Sequence, residues 1–191
     1  MLQTIIFSIA LLFSGGDKVI TYNADTSAST ITWIGKKVTG EHNGAINLKD
    51  ASFDLKEGVL VGGNFTIDMA TMVSLDLEGE WKQKLEGHLK SDDFFGVEKF
   101  PTATFVITRS VPKGPGKYKV VGDITIKGVT EQIQFPVDVT EENGQITGTA
   151  KVTIDRSKFN VRYGSGSFFD NLGDKTIYDD FELSIKIVVN K

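Results

Sequence analysis

The chain has 191 residues, of which 40% are hydrophobic and 24% charged, and this balance is typical of a globular protein rather than a disordered one. Its formal net charge of −4 and the lack of a basic stripe argue against nucleic acid as a partner. It contains no cysteine, which excludes disulfides, thiolate metal ligands and thiol nucleophiles.

The first sixteen residues differ from the rest of the chain. Residues 1–16 carry no charged side chain, and the apolar run from Ile5 to Phe13 is followed by small residues at 14–16. This pattern is typical of a secretory signal peptide, and the run is too short to span a bilayer. No Lys or Arg precedes the run, which fits a signal peptide poorly. The alternative is an extra N-terminal strand or a buried tail. We predict a signal peptide at 1–16, one domain at 17–191, and no stable membrane insertion.

Apolar and polar residues alternate through most of the remaining chain. Strict alternation predicts β-strands with one buried and one solvated face. In chain order, the alternating segments are 19–23, 31–36, 44–48, 52–56, 64–69, 103–108, 117–127, 132–139, 146–154 and 181–190. Short turns containing Gly, Asn, Asp or Pro join them, which indicates antiparallel neighbours. The sequence therefore predicts an all-β fold of eight to ten strands, either closed on itself or packed as two sheets.

One segment between these strands has helical periodicity. Its apolar stripe repeats every fourth residue, at Leu77, Trp81, Leu85 and Leu89. His88 lies beside this stripe, and Ser74 or Asp76 is expected to cap the start of the helix.

The sequence offers little for catalysis. Its two histidines, His42 and His88, are far apart and form no metal-ligating pair. The neighbouring acids Asp179 and Asp180 would point to opposite faces of a strand, so they do not form an acid/base dyad. Nucleophile-elbow, phosphate-loop and dinucleotide-binding glycine motifs are all missing. We predict a protein that is not an enzyme and has no metal or other cofactor.

The predicted interior is rich in phenylalanine, of which the chain has 13. An eight-stranded barrel is either just filled by its side chains or holds one small ligand. The residue pattern does not decide between these, so three functions stay open. They are a carrier of an apolar ligand, a filled barrel that acts as a structural or partner-binding module, and an enzyme on an apolar substrate with His42 or His88 as base.

Four blocks of sequence resemble the YceI-like family. Residues 87–95 and 99–105 read Gly-His-Leu-Lys-Ser-Asp-Asp-Phe-Phe and Lys-Phe-Pro-Thr-Ala-Thr-Phe, which is similar to the family signature. Residues 29–44, 122–130 and 154–159 resemble its N-terminal block, its central turn and its late block. The blocks follow the family's order and span nearly all of the mature chain.

This resemblance implies an eight-stranded antiparallel lipocalin-like barrel with one helix near a barrel end. It also implies a periplasmic or secreted protein that binds, transports or stores a long isoprenoid lipid, such as a polyprenol or an isoprenoid quinone, in an apolar tunnel. The lipid would be cargo rather than a cofactor. A homodimer is possible on this sequence but is not predicted by it.

Strand parity selects the residues that would line such a tunnel. The predicted wall residues are Trp33, Phe53, Phe65, Ile67, Met69, Phe105, Tyr118, Ile124, Phe135, Ile146, Phe181 and Ile185. Two further residues follow the helix and would close one end, namely Phe94 and Phe95. Four polar residues are predicted at the mouth, where they could fix a head group: His42, His88, Arg156 and Tyr178. The alternative for each is ordinary core packing or structural hydrogen bonding.

Overall fold

The computed structural model describes residues 18–190, so the predicted signal peptide at 1–16 lies outside the described residues. In chain order the main elements are β1 Val19–Asn23, β2 Thr30–Lys37, β3 Gly40–Lys56, β4 Val59–Ser74, α1 Gly79–Lys90, β5 Thr102–Gly114, β6 Lys117–Ile126, β7 Val129–Glu142, β8 Gln145–Asp155 and β9 Ile177–Asn190. Two short 3-10 helices lie between β8 and β9, at Arg156–Phe159 and Gly173–Lys175.

Eight of the strands form a closed antiparallel barrel. Their order is β3-β2-β9-β8-β7-β6-β5-β4, and β4 pairs back with β3, where Ala51 lies opposite Phe65. The remaining strand, β1, adds to the outside of this arrangement along the second half of β3, with Tyr22 opposite Phe53. The predicted all-β, lipocalin-like barrel with one helix is confirmed, and the sheet is closed rather than split into two.

The strand β3 unites two segments that the alternation pattern predicts as separate strands. Its inward-facing residues change from even to odd numbers between Leu48 and Ala51, because the register with β4 shifts between Leu48 and Asp50. Such a bulge adds one residue and bends the strand. The first half of β3 therefore pairs with β2, the second half pairs with β1, and both halves pair with β4.

The outward-facing residue Val188 interrupts the alternation of β9, and the structure gives the reason. The segment between β1 and β2 crosses over it: the Asp25 N–H donates to the Val188 carbonyl at 2.8 Å, and the Val188 N–H donates to Ser29 Oγ at 3.0 Å. Val188 is only 2% exposed as a result. The segment between β1 and β2 therefore shields this outward-facing apolar residue from water.

The helix α1 connects β4 to β5 at one end of the barrel. Its N-cap residue is Glu78, whose side chain makes no capping hydrogen bond, so the prediction of Ser74 or Asp76 as the cap is wrong. Both are instead hydrogen-bonded to each other, with Ser74 Oγ donating to the Asp76 carboxylate at 2.9 Å. The predicted apolar stripe is only partly buried, since Leu89 is 9% exposed but Trp81 is 71% exposed. Among residues 18–190, no helix has the length and apolar character needed to cross a bilayer.

Candidate functional site

The barrel encloses an apolar cavity of about 250 Å³. A row of phenylalanine rings forms one wall, because Phe53, Phe65, Phe105 and Phe135 lie on strands where each faces inward. The ring centroids are 5.1 Å apart for Phe53 and Phe65 and 5.3 Å apart for Phe105 and Phe135. The interior is therefore not completely filled by side chains.

Most of the predicted wall residues lie around this cavity. Twelve of the fourteen are in its wall, namely Trp33, Phe53, Phe65, Ile67, Met69, Phe94, Phe95, Phe105, Ile124, Phe135, Phe181 and Ile185. The two aromatic residues after α1 have ring centroids 5.2 Å apart, and Phe95 lies 6.3 Å from Phe181.

Tyr118 and Ile146 do not line the cavity, and here the prediction is corrected. Both face inward by parity, but each is the second residue of its strand, at the end of the barrel away from α1. Ile146 is buried opposite Val189, and Tyr118 packs against the core. Strand parity gives the direction of a side chain, but it does not show whether the side chain reaches the cavity.

The opposite end of the barrel, which we call the mouth end, is formed by three chain segments. They are the β2–β3 turn, the β4–α1 connection and the β8–β9 connection. The Val38 N–H donates to the Thr176 carbonyl at 3.0 Å, and the Leu75 N–H donates to the Asn43 carbonyl at 2.9 Å. These backbone hydrogen bonds join the three segments around the end of the cavity.

The loop that follows α1 is held by Lys127, in the β6–β7 turn. Its Nζ donates to the carbonyl oxygens of Asp92 and Phe94, at 2.8 and 2.6 Å. Burial lowers the pKa of Lys127, and the carboxylates of Asp92 and Asp93 oppose this shift. The contact fixes Phe94 in the cavity wall from outside the barrel.

A second depression, the vestibule, lies beside the cavity between α1 and the β2–β3 hairpin. It is lined by Lys37, His42, Leu77, Trp81, Lys84, Leu85 and His88. Both histidines and Lys37 also line the cavity, so the two spaces share a boundary. We infer that this is the route by which the cavity communicates with the surface.

The imidazole of His42 at this boundary is oriented by Asp76. Its Nδ1 lies 2.7 Å from Asp76 Oδ2, and the Asn43 N–H and Ser74 Oγ donate to Oδ1 at 3.1 and 2.9 Å. An ionised carboxylate accepts only, so Nδ1 carries the proton and Nε2 of the neutral ring is an acceptor. Burial raises the pKa of Asp76, but the hydrogen bonds from His42, Ser74 and Asn43 outweigh it and the pKa lies below its ordinary value.

A hydrolytic triad would need a nucleophile beside this His–Asp pair. Ser74 is the nearby hydroxyl, yet it is fully buried and donates to Asp76 rather than to His42. The backbone N–H of Ser74 donates to Glu86 Oε1 at 2.9 Å, which ties β4 to α1. The pair and Ser74 therefore form a structural link between strand and helix.

His88 has aromatic neighbours. Its ring centroid lies 4.4 Å from that of Tyr163 and 5.6 Å from that of Phe94, both edge-on. The ring therefore packs between the β8–β9 connection and the loop after α1. In the part of the chain that the structure describes, no three His, Asp or Glu side chains are grouped to hold a metal ion.

Arg156 is predicted at the mouth, and the structure shows its guanidinium hydrogen-bonded to backbone carbonyls. The side chain is 2% exposed, and its guanidinium donates to the carbonyls of Val161, Ile177 and Tyr178 at 2.7, 2.9 and 3.2 Å. Burial lowers the pKa of Arg156, opposed by Asp179 at 3.4 Å. Arg156 therefore organises the β8–β9 connection. Tyr178, which it holds through the backbone, is 51% exposed at the edge of the cavity.

Two lysines near the mouth were not predicted from the sequence. Lys36 and Lys37 both border the cavity, because the register of β2 with β9 shifts between Gly35 and Lys37. Lys36 is paired with Glu182 at 2.6 Å. Alternation assigns only one of two consecutive residues to the interior, so a shift of this kind is invisible to it.

The fold and the cavity together define a lipocalin-like barrel with an apolar space inside it. The model of the YceI-like domain matches residues 22–189, and the chain belongs to this family. The resemblance of the sequence blocks at 87–105 and elsewhere is thus confirmed.

Similar proteins of known sequence cover less of the chain. The UPF0312 protein of Staphylococcus aureus strain USA300 is 40% identical over 85 residues, which is 41% of this chain and 47% of that protein. The corresponding protein of strain MSSA476 is 39% identical over the same length. The chain spans about half the length of the curated relatives it matches.

Solved structures resemble the whole barrel. BcnA of Burkholderia cenocepacia matches with a TM-score of 0.72 and 26% identity, over 86% of this chain and 98% of that protein. A polyisoprenoid-binding domain from Saccharophagus degradans matches with a TM-score of 0.63 and 12% identity, over 88% of this chain and 97% of that domain. The Campylobacter jejuni YceI protein matches with a TM-score of 0.59 and 21% identity, over 99% of this chain and 93% of that protein. The last two likenesses establish the fold alone.

Proposed function

We propose that the protein binds a long apolar isoprenoid lipid in its barrel cavity and carries or stores it in the periplasm or outside the cell. The apolar cavity inside a closed barrel is the observation that carries this proposal, and it shares wall residues with the vestibule. Membership of the YceI-like family supports it, as does the likeness of the fold to a polyisoprenoid-binding domain. Binding of this kind needs no catalytic group.

The hydrophobic effect supplies the binding energy. A cargo chain that loses about 600 Å² of apolar surface gains roughly 15 kcal/mol, at about 25 cal/mol per Å². Association costs offset about 4–15 kcal/mol of this gain. A preformed wall reduces the ordering part of that cost. The row of packed phenylalanine rings is such a wall, and it favours tight binding.

The cavity volume limits how much of a long chain is enclosed. At about 250 Å³ it lies just below the usual range of about 300–1,000 Å³ for small-molecule pockets. Met69 and Met72 lie in its wall, and the unbranched, flexible methionine side chain can shift to widen a pocket. We propose that a chain segment occupies the cavity and that the rest of the lipid extends through the vestibule.

A polar head group would then lie among the polar residues of the mouth. His42 presents Nε2 as an acceptor in its neutral form, and Lys37 and Tyr178 border the same opening. Arg156 is not proposed to contact the head group, because its donors are used by backbone carbonyls. These groups would set the orientation of the lipid rather than its affinity.

A pair of substitutions on β8 tests the proposal. Ala150 lies in the cavity wall, whereas Thr153 is exposed on the outer face of the same strand. Ala150→Phe should fill the cavity and weaken binding of farnesol, a short isoprenoid alcohol, by at least about tenfold, whereas Thr153→Phe should not. Binding is followed by quenching of tryptophan fluorescence, since Trp33 lies in the wall.

Urea unfolding of both variants controls for loss of the fold, because overpacking destabilises by about 1–3 kcal/mol. Farnesol binding that is equally strong in a folded Ala150→Phe variant would place the ligand elsewhere and contradict the proposal.

A further inference from the structure

In the part of the chain that the structure describes, the exposed aromatic side chains lie at one end of the barrel. Within residues 18–190 the exposed Trp, Tyr and Phe side chains, here called the aromatic rim, are Trp81, Tyr163, Phe168, Phe169 and Tyr178, with 38–71% exposure. The exposed apolar residues around the β3–β4 turn, at the far end, are aliphatic, for example Val59 and Val61. Isolated exposed apolar residues are ordinary, but segregation of all the exposed rings marks an interaction surface.

Three members of the aromatic rim lie at or beside the mouth of the cavity. Trp81 lines the vestibule, Tyr178 borders the cavity, and Tyr163 packs on His88 with ring centroids 4.4 Å apart. Phe168 and Phe169 are presented by a turn in which both backbone N–H groups donate to the carbonyl of the buried Ser165, at 3.2 and 3.1 Å. These hydrogen bonds hold the two phenylalanines on a defined turn of the β8–β9 connection.

Cationic side chains accompany the rings. The Nζ of Lys84 lies 4.9 Å from the ring centroid of Trp81, and the guanidinium of Arg162 lies 4.8 Å from that of Phe168. Aromatic rings prefer the level of the lipid head groups, where neighbouring Lys and Arg side chains reach the phosphates. The pairing of exposed rings with cationic side chains fits a phospholipid surface, where rings and cations are placed together at the head-group level.

We infer that the aromatic rim docks the mouth of the barrel on a phospholipid bilayer. The inference rests on the proposed function, since an isoprenoid cargo resides in membranes and would expose its chain to water if the mouth stayed in solution. Docking with the rim in the head-group region lets the lipid pass between the bilayer and the cavity. The net charge of −4 does not favour approach to an anionic surface, so burial of the rings drives the contact.

Flotation with phospholipid vesicles tests the inference. The vesicles contain phosphatidylcholine and phosphatidylglycerol but no isoprenoid, so cargo cannot attract the protein. The variant Phe168→Ser/Phe169→Ser changes two rim residues that lie outside the cavity wall. Its matched control is Val59→Ser/Val61→Ser at the far end of the barrel. We expect the rim variant to lose at least about tenfold in vesicle partitioning and the control to behave as wild type, with little effect of salt.

A farnesol titration of the same proteins separates this inference from the proposed function. Both variants should bind farnesol as wild type does. If wild type binds farnesol but not vesicles, or if the rim variant partitions as wild type does, the docking inference is overturned and the binding function stands. Loss of farnesol binding in wild type would overturn the function itself.

Discussion

Gly44 has no Cβ atom, so the indole of Trp33 packs directly against the backbone of β3. A Cβ atom at this position would lie 1.9 Å from the Val73 carbonyl oxygen and 2.4 Å from Cζ2 of Trp33. Both distances are far below van der Waals contact, and the Val73 oxygen belongs to the backbone of β4. By contrast, a Cβ at Gly35, on the neighbouring strand, would have no atom within 4 Å. A glycine is therefore required by packing at 44 and not at 35.

The substitution Gly44→Ala tests this requirement. We expect it to displace Trp33 and strain the β3–β4 pairing, which should lower the free energy of unfolding by about 1–3 kcal/mol. Gly35→Ala should change it by less than about 0.5 kcal/mol. Urea unfolding followed by circular dichroism measures both. Equal stability of the two variants would show that the indole does not occupy this position.

Among the elements, the contact of β3 with the β4–α1 connection depends on one carboxylate. Asp76 accepts hydrogen bonds from His42 and Asn43 of β3 and from Ser74 of β4, and its side chain is 23% exposed. Its pKa is lowered from 3.8 although burial raises it. The ionised form thus stabilises the folded state, so this contribution is complete above pH 3.8 and is lost as the pH falls through the lower native value.

The substitution Asp76→Asn should remove this contribution. At neutral pH we expect the free energy of unfolding to fall by about 1–2 kcal/mol, because hydrogen bonds to a charged acceptor are lost. The difference from wild type should shrink below pH 3.8, where protonation removes the same charge from the wild-type protein. Unfolding in urea across the acid range measures it, with Asp170→Asn at an exposed carboxylate as control. A difference that is independent of pH would contradict the assignment.

The alternation of apolar and polar residues predicted these elements because each strand has one face in the barrel and one in water. It failed where the backbone departs from regular pairing. The bulge after Leu48 makes two predicted strands into one, and the shift between Gly35 and Lys37 brings two consecutive lysines to the mouth. Neither the bulge nor the register shift can be predicted from the alternation of residue types alone. The stripe of α1 was predicted from spacing, but whether Trp81 is covered depends on the barrel beneath it.

For the whole molecule, closure of the sheet and the empty space inside it are collective properties. Inward direction was predictable for Tyr118 and Ile146, but the level at which the side chains fill the barrel was not. That level depends on the summed volumes of residues on eight strands. The family resemblance predicted the barrel, and the blocks that carry it include residues of the cavity wall such as Trp33 and Phe94.

The central claim is that the cavity holds an isoprenoid lipid, and native mass spectrometry of the purified protein tests it most directly. We predict an additional bound mass that organic extraction releases and identifies as a polyprenol or an isoprenoid quinone, and that is missing from the folded Ala150→Phe variant. A wild-type protein that carries no such mass and takes up neither added polyprenol nor added isoprenoid quinone would contradict the account.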